Sequence, residues 1–325
     1  PFILVTSLFF FWGFIHNIDP ILIAHLRKAF RLSDFQSSLI DVAVYIAYFT
    51  MALPAGYIMR KFSYKVGILC GLSMFALGCF LFIPAADSHS YAFFLTAFFI
   101  IAAGLAFLET SANPYATVLG PQESSTFRLN LAQSFNGLAA AVAPLVGSRL
   151  ILSGKEYTDA QLDAMPAPEL QAYLASEAAS VKMPYLVLGL ILLAVTIAFV
   201  FIKLPEIKEE GEDKESTGIL SVLKHKHLSW SVIAQFFYVG AQTCIISFFI
   251  RIARHAADMD EKTASGTYMV AYGIAFLIGR FVGTALMSKI DAKKLLGVYA
   301  LINIILSLVT VFASGMIVIY ALIGM

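Results

Sequence analysis

Nine long apolar runs occupy most of this chain of 325 residues. Each is about 20 residues long, the length that a helix needs to cross the hydrocarbon core of a bilayer. Continuous runs of this kind indicate helices, because a helix satisfies its backbone hydrogen bonds within the segment where no water can. With 59% hydrophobic and 13% charged residues, the composition excludes an ordinary soluble domain. The sequence therefore predicts an all-α polytopic membrane protein.

The predicted spans are Phe2 to Ala24, Phe35 to Met59, Val66 to Ala85, Tyr91 to Leu119, Leu129 to Leu152, Met183 to Lys203, Leu228 to Ile252, Ala264 to Ser288, and Leu295 to Ala313. A tenth apolar run opens at Met316 and stops at Met325, which is too short to span. We expect the chain to be a piece of a longer protein, cut at both ends.

Six spans precede a charged segment, and three follow it. This is the layout of a six-plus-six transporter, in which a hydrophilic linker joins two halves. It predicts an N-terminal half at residues 1–203, a cytoplasmic central linker at residues 204–227, and the truncated start of a C-terminal half at residues 228–325. Nine spans and the start of a tenth would then be the front part of twelve.

The charge distribution predicts an orientation but no soluble partner. With a cytoplasmic N-terminus, slightly more lysines and arginines fall in the inner loops than in the outer ones. A net charge of +1 gives no reason to expect nucleic-acid binding. The three cysteines lack metal-ligand spacing, so we expect neither a metal nor another cofactor.

Glu109 is the most informative polar residue, because it lies well inside the fourth apolar run. A carboxylate in hydrocarbon is costly unless it is protonated, paired or facing a wet cavity. Asn113 follows it, and Pro114 removes one backbone hydrogen bond just beyond. The arrangement predicts a proton or substrate site. The alternative is an acid that only locks two helices together.

A second set of polar residues in the spans could recognise a polar solute. The candidates are Asn17, Gln133, Asn136, Gln235, Tyr238 and Gln242. Gln133 and Asn136 share one helical face because they are three residues apart, and the last three candidates share another. Paired donors and acceptors in a mostly apolar cavity suit a sugar. The alternative is hydrogen bonding between helices. Tyr45 and Tyr48 are candidate rings for the apolar side of a sugar.

Further ionisable residues lie in the predicted spans. His16 and Asp19 are three residues apart and could share a proton. Asp41 places another acid in the second span, and His25 is expected at the membrane surface where the first span ends. Arg280, in the eighth span, is expected to pair with an acid or to lie toward the inner end.

Several strings of residues resemble the L-fucose:proton symporter family of the major facilitator superfamily. The most specific are Leu108-Glu-Thr-Ser-Ala-Asn-Pro114 and Arg128-Leu-Asn-Leu-Ala-Gln133. Trp12-Gly-Phe-Ile-His-Asn17 and Gly279-Arg-Phe-Val-Gly-Thr284 are also similar. The resemblance runs from the first span to the end of the chain. It implies two six-helix halves and the import of hexoses or 6-deoxyhexoses, such as fucose, galactose or glucose, mostly with a proton.

The resemblance also implies roles for individual residues. Glu109 matches the fourth-helix glutamate thought to couple sugar contact to protonation. Asn17 matches a first-helix asparagine that touches sugar. Gln133 and Asn136 match fifth-helix polar residues that line the cavity.

The first two spans depart from the family pattern. The family has a proton-binding aspartate where this chain has Pro20, and Asp19 stands one residue earlier. One residue turns a side chain by about 100° around a helix. Pro20 could also unwind the turn and bring the carboxylate back. Asp41 stands where the family pattern has an uncharged polar residue.

Together these features predict a secondary transporter that imports a sugar by proton symport with alternating access, in the bacterial inner membrane and as a monomer. Glu109, with Asp19 or Asp41, would bind the proton. A proton-coupled antiporter of drugs or other small solutes remains an alternative, as do a uniporting sugar facilitator and a sugar sensor that does not transport. An enzyme is not expected, because the chain has neither a His-Glu-x-x-His motif nor a nucleotide-binding loop.

Overall fold

The structure, a computed structural model, describes residues 2–151, 157, 159–205, 225–259 and 263–325. Within those ranges the chain forms helices and no strand. Helices α1 to α12 are, in order, Phe2–Ala29, Asp34–Lys61, Tyr64–Asp87, Tyr91–Val118, Ser125–Leu150, Asp159–Asp163, Ala167–Ser180, Lys182–Phe201, Lys226–Ala257, Met269–Leu286, Ala292–Phe312 and Met316–Gly324. A 3₁₀ turn, Gln122–Ser124, precedes α5, and a π-helical turn, Ala264–Tyr268, precedes α10.

Nine helical stretches of the described chain are long and apolar enough to cross a membrane. This confirms the predicted all-α fold with nine spans. The final helix, α12, has 9 residues and falls short of a span. The chain forms two compact units, Pro1–Glu206 and Ile207–Met325.

Serine side chains set where three of the long helices begin. At α2, Ser33 Oγ accepts a hydrogen bond from the Gln36 amide, and the Gln36 side chain accepts one from the Ser33 amide. Ser63 caps α3 and Ser90 caps α4 through the same serine-to-amide contact. Each cap satisfies an amide that the helix leaves unpaired, which is worth about 1 kcal/mol. The capped starts follow short connections, so they define the ends of the spans.

Helices α3 and α4 touch through their backbones. A Cβ atom on Gly104 would lie 2.6 Å from the Gly71 carbonyl oxygen and 2.6 Å from the Phe75 amide nitrogen. No side chain fits there, so the glycines allow a closer approach than any other residue would. This contact holds α4, which carries Glu109, firmly against α3.

Helices α1 and α5 also pack closely through glycine. A Cβ atom on Gly147 of α5 would lie 2.8 Å from the Ile18 side chain. Nearer the middle of α1, Gly13 lies against the backbone of Asn136. The pairing of these helices therefore places predicted site residues of both along one seam.

His25 is buried in the structure, close to the end of the first span. Helix α1 continues to Ala29, and α7 packs on its end. His25 Nε2 lies 2.8 Å from the Glu177 backbone oxygen and 2.9 Å from Ser180 Oγ, and Nδ1 lies 3.5 Å from Glu177 Oε2. The polar loop between the fifth and sixth spans thus supplies a partner for a histidine that would otherwise be exposed.

At the other end of the first unit, side chains hold the last residues of α8 and the chain that follows. Lys65 Nζ donates to the Val200 and Ile202 carbonyls, each at 2.9 Å. The Tyr115 hydroxyl donates to the Pro205 carbonyl at 2.9 Å. These bonds satisfy carbonyl groups at and beyond a helix end that would otherwise need water.

In the second unit, α9 and α12 share a small core. Phe249 and Ala253 of α9 pack with Val318, Ile319 and Leu322 of α12. The turn into α12 passes through a glycine at position 315, which has a φ of +69° and donates its amide to the carbonyl of residue 256 at 2.8 Å. Only glycine adopts such a φ without strain.

The α3–α4 contact yields a stability prediction. Gly104→Ala forces backbone atoms apart and should lower the free energy of unfolding by about 2 kcal/mol. Gly56→Ala is the matched control, since nothing lies within 4 Å of a Cβ atom there. Thermal unfolding of the purified variants in detergent measures the difference. Equal unfolding temperatures would contradict the packing of α4 on α3.

Candidate substrate and proton site

Glu109 lies half-buried in a small recess between α1 and α4. The recess is lined by Leu8, Phe9, Trp12, Leu108, Glu109 and Ala112. Its walls are apolar except for the Glu109 carboxylate and the Trp12 ring nitrogen. Among the described residues the carboxylate has neither an ion pair nor a hydrogen bond that would join two helices.

Trp12 joins the recess to α2. Its ring nitrogen donates a hydrogen bond to the Tyr48 hydroxyl at 3.0 Å. Tyr48 is half-buried at this position, whereas Tyr45 is exposed. The sequence suggested a site role for the tyrosines but not for Trp12. A tryptophan inside a span could have indicated this contact, because its buried N–H needs a hydrogen-bond acceptor.

Gln133 of α5 is bonded to α4. Its side-chain nitrogen donates to Asn113 Oδ1 at 2.9 Å. Both side chains are half-buried. Asn113 follows Glu109 by one helical turn, so the bond joins the face of α4 that carries the acid to the face of α5 that carries Gln133.

Asn17 and Asn136 each contact Gly13 or lie against it. The Asn17 side chain donates to the Gly13 carbonyl at 2.6 Å. A Cβ atom on Gly13 would lie 2.9 Å from the Cα and the backbone oxygen of Asn136. Both asparagines are half-buried. The structure therefore places both predicted residues next to Gly13, which only the family string had singled out.

His16 and Asp19, which the spacing allowed to share a proton, do not pair in the described part of the chain. The His16 side chain is exposed, and Asp19 Oδ1 is buried with no hydrogen-bond partner in the described part of the chain. Helix α1 also runs without interruption through Pro20, so the turn is not unwound. Spanning helices tolerate proline because neighbouring helices help to satisfy the freed backbone group.

Asp19 does not line the Glu109 recess, but the charges of Glu109 and Asp19 both act on Tyr48, which bonds to Trp12 of the recess. The charge of Asp41 acts on Asp19, and that of Asp19 acts on the buried hydroxyl of Tyr185 in α8. Tyr185 is 1% exposed, and within the described residues its hydroxyl has no partner. Asp41 is exposed on α2. Of the three predicted proton acids, Glu109 lines the recess and Asp19 and Asp41 do not.

Arg128 binds the end of α4, a role that the sequence did not reveal. The side chain is buried and donates to the carbonyls of Ala116 at 3.2 Å, Gly120 at 3.2 Å, Pro121 at 2.8 Å, and Thr117. A further bond of 2.5 Å reaches Ser124 Oγ. The carbonyls at a helix end lack partners within the helix, and a guanidinium has five N–H donors to offer. One arginine thereby fixes the turn between α4 and α5.

The predicted residues of the second unit lie on α9. Gln235 and Tyr238 are exposed, and Gln242 is half-buried. Arg280 was expected to pair with an acid or to lie toward the inner end. Its guanidinium lies 4.9 Å from the centre of the Phe276 ring, and no described acid pairs with it. A cation over an aromatic face is stabilised without a counter-charge.

A sequence profile of the Major Facilitator Superfamily matches residues 2–325. The chain is 42% identical over 321 residues to the L-fucose-proton symporter of Escherichia coli strain K12, a match that covers 97% of this chain and 73% of that protein. It is 40% identical over 313 residues to a glucose/galactose transporter of Brucella abortus, covering 96% and 72% respectively. A crystal structure of the transporter FucP in the outward conformation superposes with a TM-score of 0.89 and 42% identity, covering all of this chain and 80% of that one.

The fold and the matches define a multi-pass membrane transporter rather than an enzyme. The chain belongs to the L-fucose:proton symporter family of the major facilitator superfamily, as the resemblance of its sequence strings predicted.

The hydrogen bonds of Arg128 to the end of α4 yield a second stability prediction. Arg128→Lys should lower the free energy of unfolding by about 2 kcal/mol, because a lysine has fewer donors and leaves buried carbonyls unpaired. Arg60→Lys, at an exposed position in the last turn of α2, is the matched control. Thermal unfolding in detergent compares the two. An Arg128→Lys variant that unfolds at the wild-type temperature would show that these hydrogen bonds contribute little.

Proposed function

We propose that this protein imports a hexose or 6-deoxyhexose, of the fucose, galactose or glucose type, by proton symport with alternating access. The observation that carries the proposal is the Glu109 carboxylate, which lies in an apolar recess one helical turn from a bonded pair of amides. The names of the relatives support it, since they include an L-fucose-proton symporter and a glucose/galactose transporter.

Three of the six proposed sugar contacts belong to the first unit. Asn17, Gln133 and Asn136 offer amide donors and acceptors along α1 and α5. Amides suit a sugar because each has both a donor and an acceptor group, as each hydroxyl of the sugar does. Gln242, Gln235 and Tyr238 on α9 are the proposed contacts from the second unit.

Glu109 is the proposed coupling acid. When the site faces outside, a proton neutralises the carboxylate and removes the cost of holding a charge in the apolar recess. Sugar then binds, the site closes, and it opens to the inside, where sugar and proton leave. Differential affinity of the two states for the proton drives the shift between them. Asp19 and Asp41 are proposed as additional proton sites, separate from the recess.

The proposed setting is the bacterial inner membrane, with a cytoplasmic N-terminus and a monomeric carrier in the lipid bilayer. The proposed organisation is an N-terminal half at residues 1–203, a cytoplasmic linker at residues 204–227 and the start of a second half at residues 228–325. The division of the structure into units at residues 206 and 207 supports this organisation.

Sugar-induced pH changes test substrate and coupling together. De-energised, weakly buffered cells that express the protein are given L-fucose, D-galactose, D-glucose, D-mannose or L-arabinose one at a time. Alkalinisation of the medium by one sugar is expected. Radiolabelled counterflow separates a sugar facilitator, which exchanges sugar without a pH change, from a carrier of something else. Failure of both assays with every sugar would contradict the proposed function.

Glu109→Gln should abolish the alkalinisation while sugar counterflow continues, because glutamine keeps the shape of the side chain but binds no proton. Glu123→Gln is the matched control, since Glu123 is exposed in the turn before α5. Unchanged proton-driven uptake in Glu109→Gln would exclude Glu109 as the coupling acid.

Asp19→Asn should slow sugar-linked proton uptake more than Asp41→Asn does. Asp19 has a buried, unpartnered carboxylate oxygen, whereas Asp41 is exposed. The initial rate of alkalinisation measures both effects against the wild type at equal expression. A larger loss with Asp41→Asn would reverse the proposed ranking of the two acids.

A further inference from the structure

Asn113 connects the two helices that carry the proposed proton and sugar sites. It lies four residues after Glu109, so the two side chains neighbour each other on one face of α4. Its Oδ1 accepts the 2.9 Å hydrogen bond from the Gln133 side chain of α5. No other described hydrogen bond between side chains joins α4 to α5.

The bond decides how Gln133 presents its amide. One N–H of Gln133 donates to Asn113, which leaves the carbonyl oxygen and the second N–H for a ligand. Glutamine has several rotatable bonds, and a side chain held before binding loses less entropy when a ligand arrives. A sugar hydroxyl would thus meet an amide whose orientation is already set.

The register that brings Asn113 to Gln133 is maintained at the end of the helix pair. Arg128 of α5 donates to the Ala116 and Thr117 carbonyls of α4, about one turn beyond Asn113. Two successive polar contacts, 116 with 128 and 113 with 133, define an antiparallel pair with a fixed offset. Sliding α4 along α5 would therefore break both contacts together.

We propose that Asn113 is a positioning residue for sugar binding, which orients Gln133 and ties its position to the helix that carries Glu109. The inference rests on the proposed function, because it takes Gln133 as a sugar contact. It assigns Asn113 no direct contact with sugar or proton. Movement of α4 that follows protonation of Glu109 would be passed to Gln133 through this hydrogen bond.

Isothermal titration of the purified protein with L-fucose, D-galactose and D-glucose, each used separately, tests the inference. Asn113→Leu keeps the approximate size of the side chain and removes the acceptor. It should weaken binding of the sugar that the wild type binds by about tenfold, which is about 1.4 kcal/mol. Asn113→Ala, which is too short to reach Gln133, should give the same loss without added bulk. Asn130→Leu is the matched control, because the Asn130 amide bonds only to the Thr126 carbonyl of its own helix.

A double-mutant comparison separates positioning from a general structural effect. Asn113→Ala should weaken sugar binding in the wild-type background and cause little further loss in a Gln133→Ala background, because Asn113 acts only through Gln133. A purely structural defect would weaken binding in both backgrounds. The maximum rate of counterflow at saturating sugar should change less than the affinity does.

Two results would overturn the positioning role alone. In the first, Asn113→Leu and Asn113→Ala bind sugar as the wild type does. In the second, Asn113→Ala weakens binding in the Gln133→Ala background as much as it does in the wild type. If the wild type bound none of the three sugars, the proposed function and this inference would fail together, since no sugar site would exist for Asn113 to organise.

Discussion

A polar group inside a bilayer needs a partner within the protein, because the surrounding hydrocarbon offers none. The first unit meets this constraint with a small number of contacts between helices. Arg128 satisfies the open carbonyls of α4, Trp12 donates to Tyr48, and Gln133 donates to Asn113. Each of these contacts also determines how two helices lie against each other. The hydrogen bonds that satisfy buried polar groups therefore also position the helices that carry the site.

Two carboxylates with proposed proton roles lack such a partner among the described residues. Glu109 lies in its recess without an ion pair or hydrogen bond from the described residues, and Asp19 has a buried oxygen that none of them contacts. His25 and Glu177 show the contrasting case, in which a buried pair is closed by several bonds. A fully bonded group is difficult to titrate or to move. An unpartnered acid at membrane depth is available to bind a proton.

Glycine makes the site possible by letting helices approach. Gly104 brings α4 against α3, and Gly13 brings α1 against the backbone of Asn136. With a larger residue at position 13, α1 could not lie so close to the backbone of Asn136. The packing around the proposed sugar contacts thus depends on residues that touch no sugar themselves.

The sequence by itself determined the spans, the family and the residues most worth attention. Run length and hydrophobicity are local properties, so nine spans could be found without knowing how the helices pack. Glu109 and the amides stood out because polar residues are rare in such runs. Tertiary structure alone decided the partners. It buried His25 against a loop helix and left His16 exposed. It also kept α1 intact through Pro20 and bonded Arg128 to the end of α4. The physical reason is that a hydrogen bond needs an approach within about 3 Å, and only the packing of helices distant in sequence brings these groups so near.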